Sequence, residues 1–339
     1  MLLTEKYVNP FTDFGFKKLF GEEINKELLR DFLTELLRDE QGEIKELTFL
    51  KSEQLGHTSA DRKAIFDIYC ENERGEKFIV ELQKAKQNYF KDRSVFYATF
   101  PIQDQSKMGE WNFQLKAVYT IGILDFVFDE DKDQPDKYLY KIKLADIETH
   151  KVFYNKLTFI YLEMPKFNKG PDELTTKFEK WLYVLKQLPR LQDRPAALQE
   201  RIFDRLFEQA ELARYSKEEQ MRYEDSLKYY RDLKNSFDTA REDGHLAGLE
   251  VGLAEGKEIG IVQGKEIGIA EGKETGIAEG KEIGIVQGKE IGIAEGKEIG
   301  KEEQKKALFQ SLLAQGLLTD EQIAAVLRVP IDEVRRAKS

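Results

Sequence analysis

Between Phe66 and Lys84 apolar and polar residues alternate with the two-residue period of a β-strand, broken once by a polar segment. Phe66-Asp67-Ile68-Tyr69-Cys70 and Phe78-Ile79-Val80-Glu81-Leu82-Gln83-Lys84 flank Glu71-Asn72-Glu73-Arg74-Gly75-Glu76, and this arrangement predicts a β-hairpin. Successive side chains leave a strand on opposite faces. Phe78, Val80 and Leu82 are therefore expected on one face and Glu81 and Gln83 on the other; the same parity sends Ala64, Phe66 and Ile68 to the core and Asp67 outward. Upstream, Lys17 to Arg38 carries apolar residues at 19, 20, 24, 28, 29, 32, 33, 36 and 37, the spacing of a helix with one buried stripe. Ile44 to Leu55 reads as a strand, 88–108 as mostly helical, and Ala117 to Leu124 as a buried strand, with a further strand over Thr158 to Met164. The order αβββαβ predicts an α/β fold, a mixed sheet with helices on both faces. After Pro171, helices are expected over Leu174 to Leu188, Ala197 to Tyr215 and Lys217 to Arg241, with breaks at Pro189 and Pro195.

From Gly244 to Gly300 every fourth residue is glycine, built on an octapeptide Gly-Lys-Glu-Ile-Gly-Ile-Ala-Glu, with Val-Gln replacing Ala-Glu in places. Four residues advance a helix by about 400°, so the glycine stripe drifts by about 40° per step and favours right-handed wrapping. Each interior glycine costs about 1 kcal/mol relative to alanine. Two readings follow: a dimerisation stalk in which close helix pairing offsets that cost, or a charged linker or fluctuating helix, the reading that the propensities favour. Lys and Glu in every repeat exclude a membrane helix packed through small residues. Beyond the repeat, Lys301 to Leu313, Leu318 to Leu327 and Ile331 to Ala337 read as helices, closed by Gly316 and turned at Val329-Pro330. A DNA-reading helix offers its first residues to base edges. Here those are Asp332 and Glu333, so a helical packing module is expected.

The chain has 339 residues, 41% of them hydrophobic, with 22 Phe and 14 Tyr, enough for a substantial core. A formal charge of −10 argues against a generally basic nucleic-acid binder and confines DNA contact to a local patch. The one cysteine, Cys70, excludes an intramolecular disulfide, and its core-facing parity predicts a packed thiol rather than a nucleophile. His57, His150 and His245 are scattered and make no zinc-ligand spacing. No secretory leader pattern or apolar run of membrane-spanning length is present, and a cytoplasmic protein is expected.

The hairpin also carries the candidate chemistry. It brings Asp67 beside Glu81, with Gln83 two residues on. Paired carboxylates at a sheet surface suit a hard divalent cation such as Mg²⁺, which takes oxygen ligands and keeps several waters. The plain alternative is a solvated sheet face on which acids of neighbouring strands happen to meet. Arg93 and Tyr97 lie four apart on the following helix and share a face.

Asp67 followed by Glu81-Leu82-Gln83 resembles the D…ExK core of the PD-(D/E)XK nuclease superfamily, in the subtype where Gln replaces Lys. The segment Asn9-Pro10-Phe11-Thr12-Asp13-Phe14-Gly15-Phe16-Lys17-Lys18-Leu19-Phe20-Gly21 is similar to the opening signature of the recombination-promoting nuclease/putative transposase family. Asp61-Arg62-Lys63, Arg93 with Tyr97, and Glu163-Met164-Pro165-Lys166-Phe167 match as well. The resemblance implies a restriction-endonuclease-like fold and a Mg²⁺-dependent DNA endonuclease, Mn²⁺ being an alternative ion, with a role in recombination, mobile elements or defence against foreign DNA. It implies metal ligation by Asp67, Glu81 and the Leu82 carbonyl, a water-orienting role for Gln83, and DNA contacts from Arg93, Tyr97, Lys63 and Lys84. Phe66 stands where the superfamily has its proline. Gln83 lacks the positive charge of the usual lysine, for which Lys63, Lys84 or Lys86 are the replacements considered. Strand rise puts Lys63 roughly 13 Å from Asp67, and parity turns Lys84 to the wrong face unless the strand has ended. The competing class is a catalytically degenerate DNA-binding or oligomerisation protein that keeps the fold. The expected organisation is a nuclease-like domain over 1–168, a helical region over 169–243, the repeat over 244–300 as linker or homo-oligomer contact, and a helical hairpin over 301–339.

Overall fold

The computed structural model describes residues 5–54, 64–87, 89–106, 112–270, 274–315, 319–327 and 330–338. Lys63, with Asp61 and Arg62, lies outside them, as do His57, Gly316 and Val329. The chain forms two compact units, Met1–Tyr230 and Arg231–Ser339.

The first unit opens with helix α1 (Asp13–Phe16), a π-helical turn over Lys17–Gly21, a 3₁₀ turn over Glu23–Asn25 and helix α2 (Lys26–Gln41). The single helix expected over Lys17 to Arg38 is thus broken, because Glu22 takes an extended ψ of 141° and the buried Asn25 side chain donates to the Lys18 carbonyl at 2.8 Å. Strands β1 (Leu47–Phe49), β2 (Glu53–Gln54), β3 (Ala64–Ile65), β4 (Ile68–Asn72) and β5 (Lys77–Gln83) follow, then helix α3 (Phe90–Gln103) and strands β6 (Val118–Leu124), β7 (Leu139–Ala145) and β8 (Val152–Glu163). Helices α4 (Lys177–Gln187), α5 (Arg201–Ala210) and the first turns of α6 (Lys217–Ala270) complete this unit.

The main sheet has six strands in the order β1-β4-β5-β6-β8-β7, and β2 and β3 form a separate pair. β4 and β5 are antiparallel, while β5, β6 and β8 run parallel to one another. The hairpin between β4 and β5 closes where Gly75 takes φ +75°, a conformation open to glycine, and the Asn72 side chain accepts from the amides of Arg74 and Glu76, each at 3.0 Å. All seven residues of β6 are buried, as expected for a central parallel strand covered on both faces. On one face Ile68, Cys70, Phe78, Val80, Tyr119, Ile121 and Ile160 join a core with α2, α4 and α5. Trp181 of α4 anchors that layer: its indole N–H donates to Asp31 at 2.8 Å, and its ring lies 5.1 Å from Phe203 and 5.9 Å from both Phe20 and Phe32. Cys70 is fully buried here, and burial pushes its thiol pKa up, which leaves it an inert packing group. On the other face α3 lies over the sheet, with Phe90 against Tyr161 and Phe128 and with Phe100 against Phe66. Gly122 permits this approach, since a Cβ there would sit 3.1 Å from Tyr161 and 3.2 Å from Phe90.

In the second unit, the rest of α6 and helix α7 (Glu274–Gln315) carry the glycine repeat, followed by α8 (Asp320–Leu327) and α9 (Ile331–Lys338). A Cβ built on Gly248, Gly252, Gly256 or Gly260 would run into the backbone carbonyl of Gly296, Gly292, Gly288 or Gly284, and the converse holds. Contacts that ascend one helix while descending the other describe an antiparallel pair in backbone contact. Leu308, Leu312, Ile323, Val326 and Val334 are buried in this unit, where α7 meets α8 and α8 meets α9.

Candidate functional site

The ladder between β4 and β5 ends at Ile68 opposite Val80. One step further the chain bends at Asp67, and there the side chains take over from the backbone. The Leu82 N–H donates to Asp67 Oδ2 at 2.8 Å, and the Asp67 N–H donates to Glu81 Oε1 at 3.1 Å. Asp67, in the bend before β4, is thereby held against Glu81 of β5 on the sheet face that α3 covers. Glu81 is only 9% exposed. Because a residue in an antiparallel ladder directs its N–H and C=O to the same side, the Leu82 carbonyl is turned toward Asp67.

The bend corrects two parity expectations. The strand read as continuous through Phe66 is divided: Ala64 belongs to the small β2–β3 pair, and the Phe66 N–H donates to the Ser52 carbonyl at 2.9 Å. Phe66 then packs on the α3 face with Tyr69, Tyr97 and Phe100, opposite to Ile68. Its ring fills the place beside Asp67 with aromatic core contacts. The face expected to be outward is also buried, because α3 lies on it. Strand β5 ends at Gln83, and Lys84 is released from strand parity: its charge acts on Asp67 and Asp13, and its ammonium lies 5.5 Å from the centre of the Tyr229 ring.

Gln83 is buried, with both ends of its amide engaged. Its Nε2 donates to the Ala85 carbonyl at 2.8 Å, and its Oε1 accepts from Arg93. Arg93 also donates to Gln87 at 2.5 Å and stacks over the rings of Phe90 and Tyr97. Tyr97 is packed against Phe66 at 5.2 Å. Lys86 is paired with Asp129.

The N-terminal segment supplies neighbours that strand reasoning did not find. Thr12 caps α1, accepting from the Gly15 N–H at 2.9 Å and donating to the Asn9 carbonyl at 2.7 Å. A Cβ at Gly15 would collide with that same carbonyl. Helix α6 clasps the turn from the other side: the Tyr223 hydroxyl accepts from the Asn9 N–H at 3.0 Å and Ser226 from the Phe14 N–H at 3.1 Å. So fixed, α1 and the π-helical turn that continues it hold Asp13 and Lys17 one turn apart, 2.9 Å from each other, and both charges act on Asp67. Their i, i+4 spacing was the available sequence signal; nothing local said which site they would border. Tyr230 of α6 donates to Asp125 at 2.8 Å, and the Asp125 N–H donates to the Gln83 carbonyl at 2.9 Å.

A sequence model described as PD-(D/E)XK nuclease family transposase matches residues 10–240. The chain belongs to this family. Searches of curated proteins and of solved structures return no match. The matched range takes in the N-terminal signature, the hairpin with Asp67 and Glu81, and the part of α6 that clasps α1. The Glu163-to-Phe167 motif of this family member is structural. Glu163 and Lys166 form a buried ion pair at 2.7 Å, while Glu163 accepts from the Phe128 N–H at 2.7 Å and Lys166 donates to the Asp131 carbonyl and the Tyr140 hydroxyl at 2.6 and 2.9 Å. Such a pair fixes the chain after β8, because losing one partner would strand a buried charge.

Burial, followed by the neighbouring charge of Asp67, raises the Glu81 pKa; Arg93 and Lys17 work against this. Burial likewise raises Asp67, opposed by the Leu82 N–H and by Lys17. Adjacent acids of this kind titrate as a pair, and here burial and like charge both favour holding a proton. A hard cation would relieve the same repulsion. Among the described residues no group of three or more His, Cys, Asp or Glu side chains forms a metal-binding cluster, so a cation here would have the two carboxylates and backbone or solvent oxygen to draw on. That all-oxygen, water-rich set fits Mg²⁺ or Mn²⁺.

Proposed function

We propose that this protein is a metal-dependent DNA endonuclease, with Asp67, Glu81 and the Leu82 carbonyl holding Mg²⁺ or Mn²⁺. The observation that carries the reading is the pairing of half-buried Asp67, at the bend before β4, with buried Glu81 of β5, each tied to the other's segment by a backbone N–H. When bound, the ion lowers the pKa of a coordinated water and offsets charge developing on the phosphate. Asp67 and Glu81 orient that ion. Gln83, tied to Arg93, fixes the guanidinium beside Glu81, and Arg93 and Lys84 provide positive charge for the DNA backbone in an otherwise acidic chain. Tyr97 supports the Arg93 plane from below. Membership of the family favours a task in recombination, mobile elements or defence against foreign DNA.

Plasmid nicking with Mg²⁺ tests this, comparing the protein with its Asp67→Ala and Glu81→Ala variants. Loss of nicking in both is expected, by about 100-fold or more. Equal nicking in all three would place the activity elsewhere. One observation favours the second reading, a degenerate member that binds DNA without turnover: both ends of the Gln83 amide already have partners, which leaves it ill placed to steer a water. In that case divalent ions would bind without nicking.

A further inference from the structure

Gln83 stands where a lysine is usual, and its neutral amide is committed to Arg93 and Ala85. The site therefore needs a cation from another element. Among the described residues, Lys17, Lys84 and Arg93 are cations whose charge acts strongly on the acid pair. Arg93 is held by Gln83 and Gln87 and stacked on two rings. Lys84 is half-buried against Tyr229. Lys17 differs from both. Its side chain is 49% exposed, its partner Asp13 is 54% exposed, and its charge acts on Asp67 and Glu81 alike.

The backbone that presents Lys17 is unusual as well. Lys17 begins the π-helical turn over Lys17–Gly21, and such turns occur frequently at functional sites. The turn packs directly against β4: a Cβ at Gly21 would lie 3.9 Å from Ile68, the residue after Asp67. Thr12, Gly15, Tyr223 and Ser226 lock α1 in place from below, so the lysine is held on a rigid stem while its head stays open to solvent.

We propose that Lys17, beyond the charge that Arg93 and Lys84 offer the DNA backbone, faces the phosphate at the acid pair, taking the place of the charge absent at Gln83, and that Asp13 positions it. The assignment rests on the reading of Asp67 and Glu81 as the nuclease centre. In the free protein Asp13 holds the ammonium at 2.9 Å, where its charge acts on both acids. When a DNA phosphate enters, the ammonium turns from Asp13 to the phosphate oxygen, a move its exposure allows.

Two measurements on the full chain test this: nicking of supercoiled plasmid with Mg²⁺, and binding of a short DNA duplex in Ca²⁺ across a salt series. Lys17→Met is expected to lower nicking by about 100-fold and to reduce the slope of log affinity against log salt by about one. Adding Gln83→Lys to that variant should restore nicking. A purely structural Lys17 would leave the salt slope unchanged, and wild-type slope and nicking in Lys17→Met overturn the proposal. Lys17→Gln gives the same readings should the Met variant lose its folded circular dichroism. If even the wild type fails to nick while Lys17→Met still flattens the slope, the nuclease reading falls and the phosphate contact stands.

Discussion

At the scale of the residue, Asp67 and Glu81 matter because burial and mutual repulsion oppose their ionisation together. A carboxyl whose pKa is raised on folding binds its proton more tightly in the native state than in the unfolded chain. The metal-free protein is therefore most stable, as far as this pair is concerned, below the ordinary carboxylate range near about pH 4.3. It loses that contribution as pH rises from there through the raised Glu81 value. On the proposed metal reading, a divalent ion held by these carboxylates would compete with the same proton, and its apparent affinity would rise with pH over the same window. The thermal shift produced by Mn²⁺ or Mg²⁺ should accordingly be larger at about pH 8 than at about pH 6. Glu81→Gln should remove most of this shift and flatten the pH dependence of the metal-free melting temperature. Differential scanning fluorimetry across pH reads both, and a metal shift that is independent of pH would contradict the shared proton.

At the scale of the element, the glycine repeat shows how packing overrides propensity. Taken alone, each glycine weakens a helix by about 1 kcal/mol relative to alanine, which favours a linker. Taken in pairs, the same glycines let α6 and α7 approach until a Cβ on one would meet the other's carbonyl. The stripe considered as a contact between copies is engaged within the chain. These two situations give Gly252→Ala opposite signs. In an unpaired helix alanine raises helicity; in the antiparallel pair it forces Gly252 away from Gly292 and lowers both helicity and melting temperature. Far-ultraviolet circular dichroism of Gly252→Ala and Gly292→Ala is expected to fall, and a gain in either variant would show that the stripes do not touch.

At the scale of the whole molecule, the buried clusters of the first unit run from Tyr7 to Leu227 and take in α4, α5 and the start of α6. The helices after the sheet are part of one core with it, and the family match ends close to the same limit, at residue 240. A chain ending at Arg241 should melt cooperatively and keep its metal-induced thermal shift. One ending at Ala210 loses Tyr223, Ser226 and Tyr230, hence the bonds to Asn9, Phe14 and Asp125, and is expected to lose cooperative melting. Cooperative melting of the shorter chain would mean that α6 is dispensable for the N-terminal turn.

Alternation and a turn containing glycine were enough to place Asp67 opposite Glu81, because strand parity and hairpin pairing are local rules that few residues decide. The central strands and the helical stretches were legible for the same reason. Strand β7 was not, since its pattern Leu-Tyr-Lys-Ile-Lys-Leu-Ala lies at a sheet edge where neither face is uniformly buried. Tertiary structure alone decided the rest: that the chain bends at Asp67 and turns Phe66 toward α3, that β5 ends before Lys84, and that α1 and the turn after it bring the charges of Asp13 and Lys17 to bear on a site some fifty residues away in sequence. Local periodicity determines which way a side chain leaves its own element. Which elements then meet depends on closing long loops around a common core, and that choice is made by the packed whole.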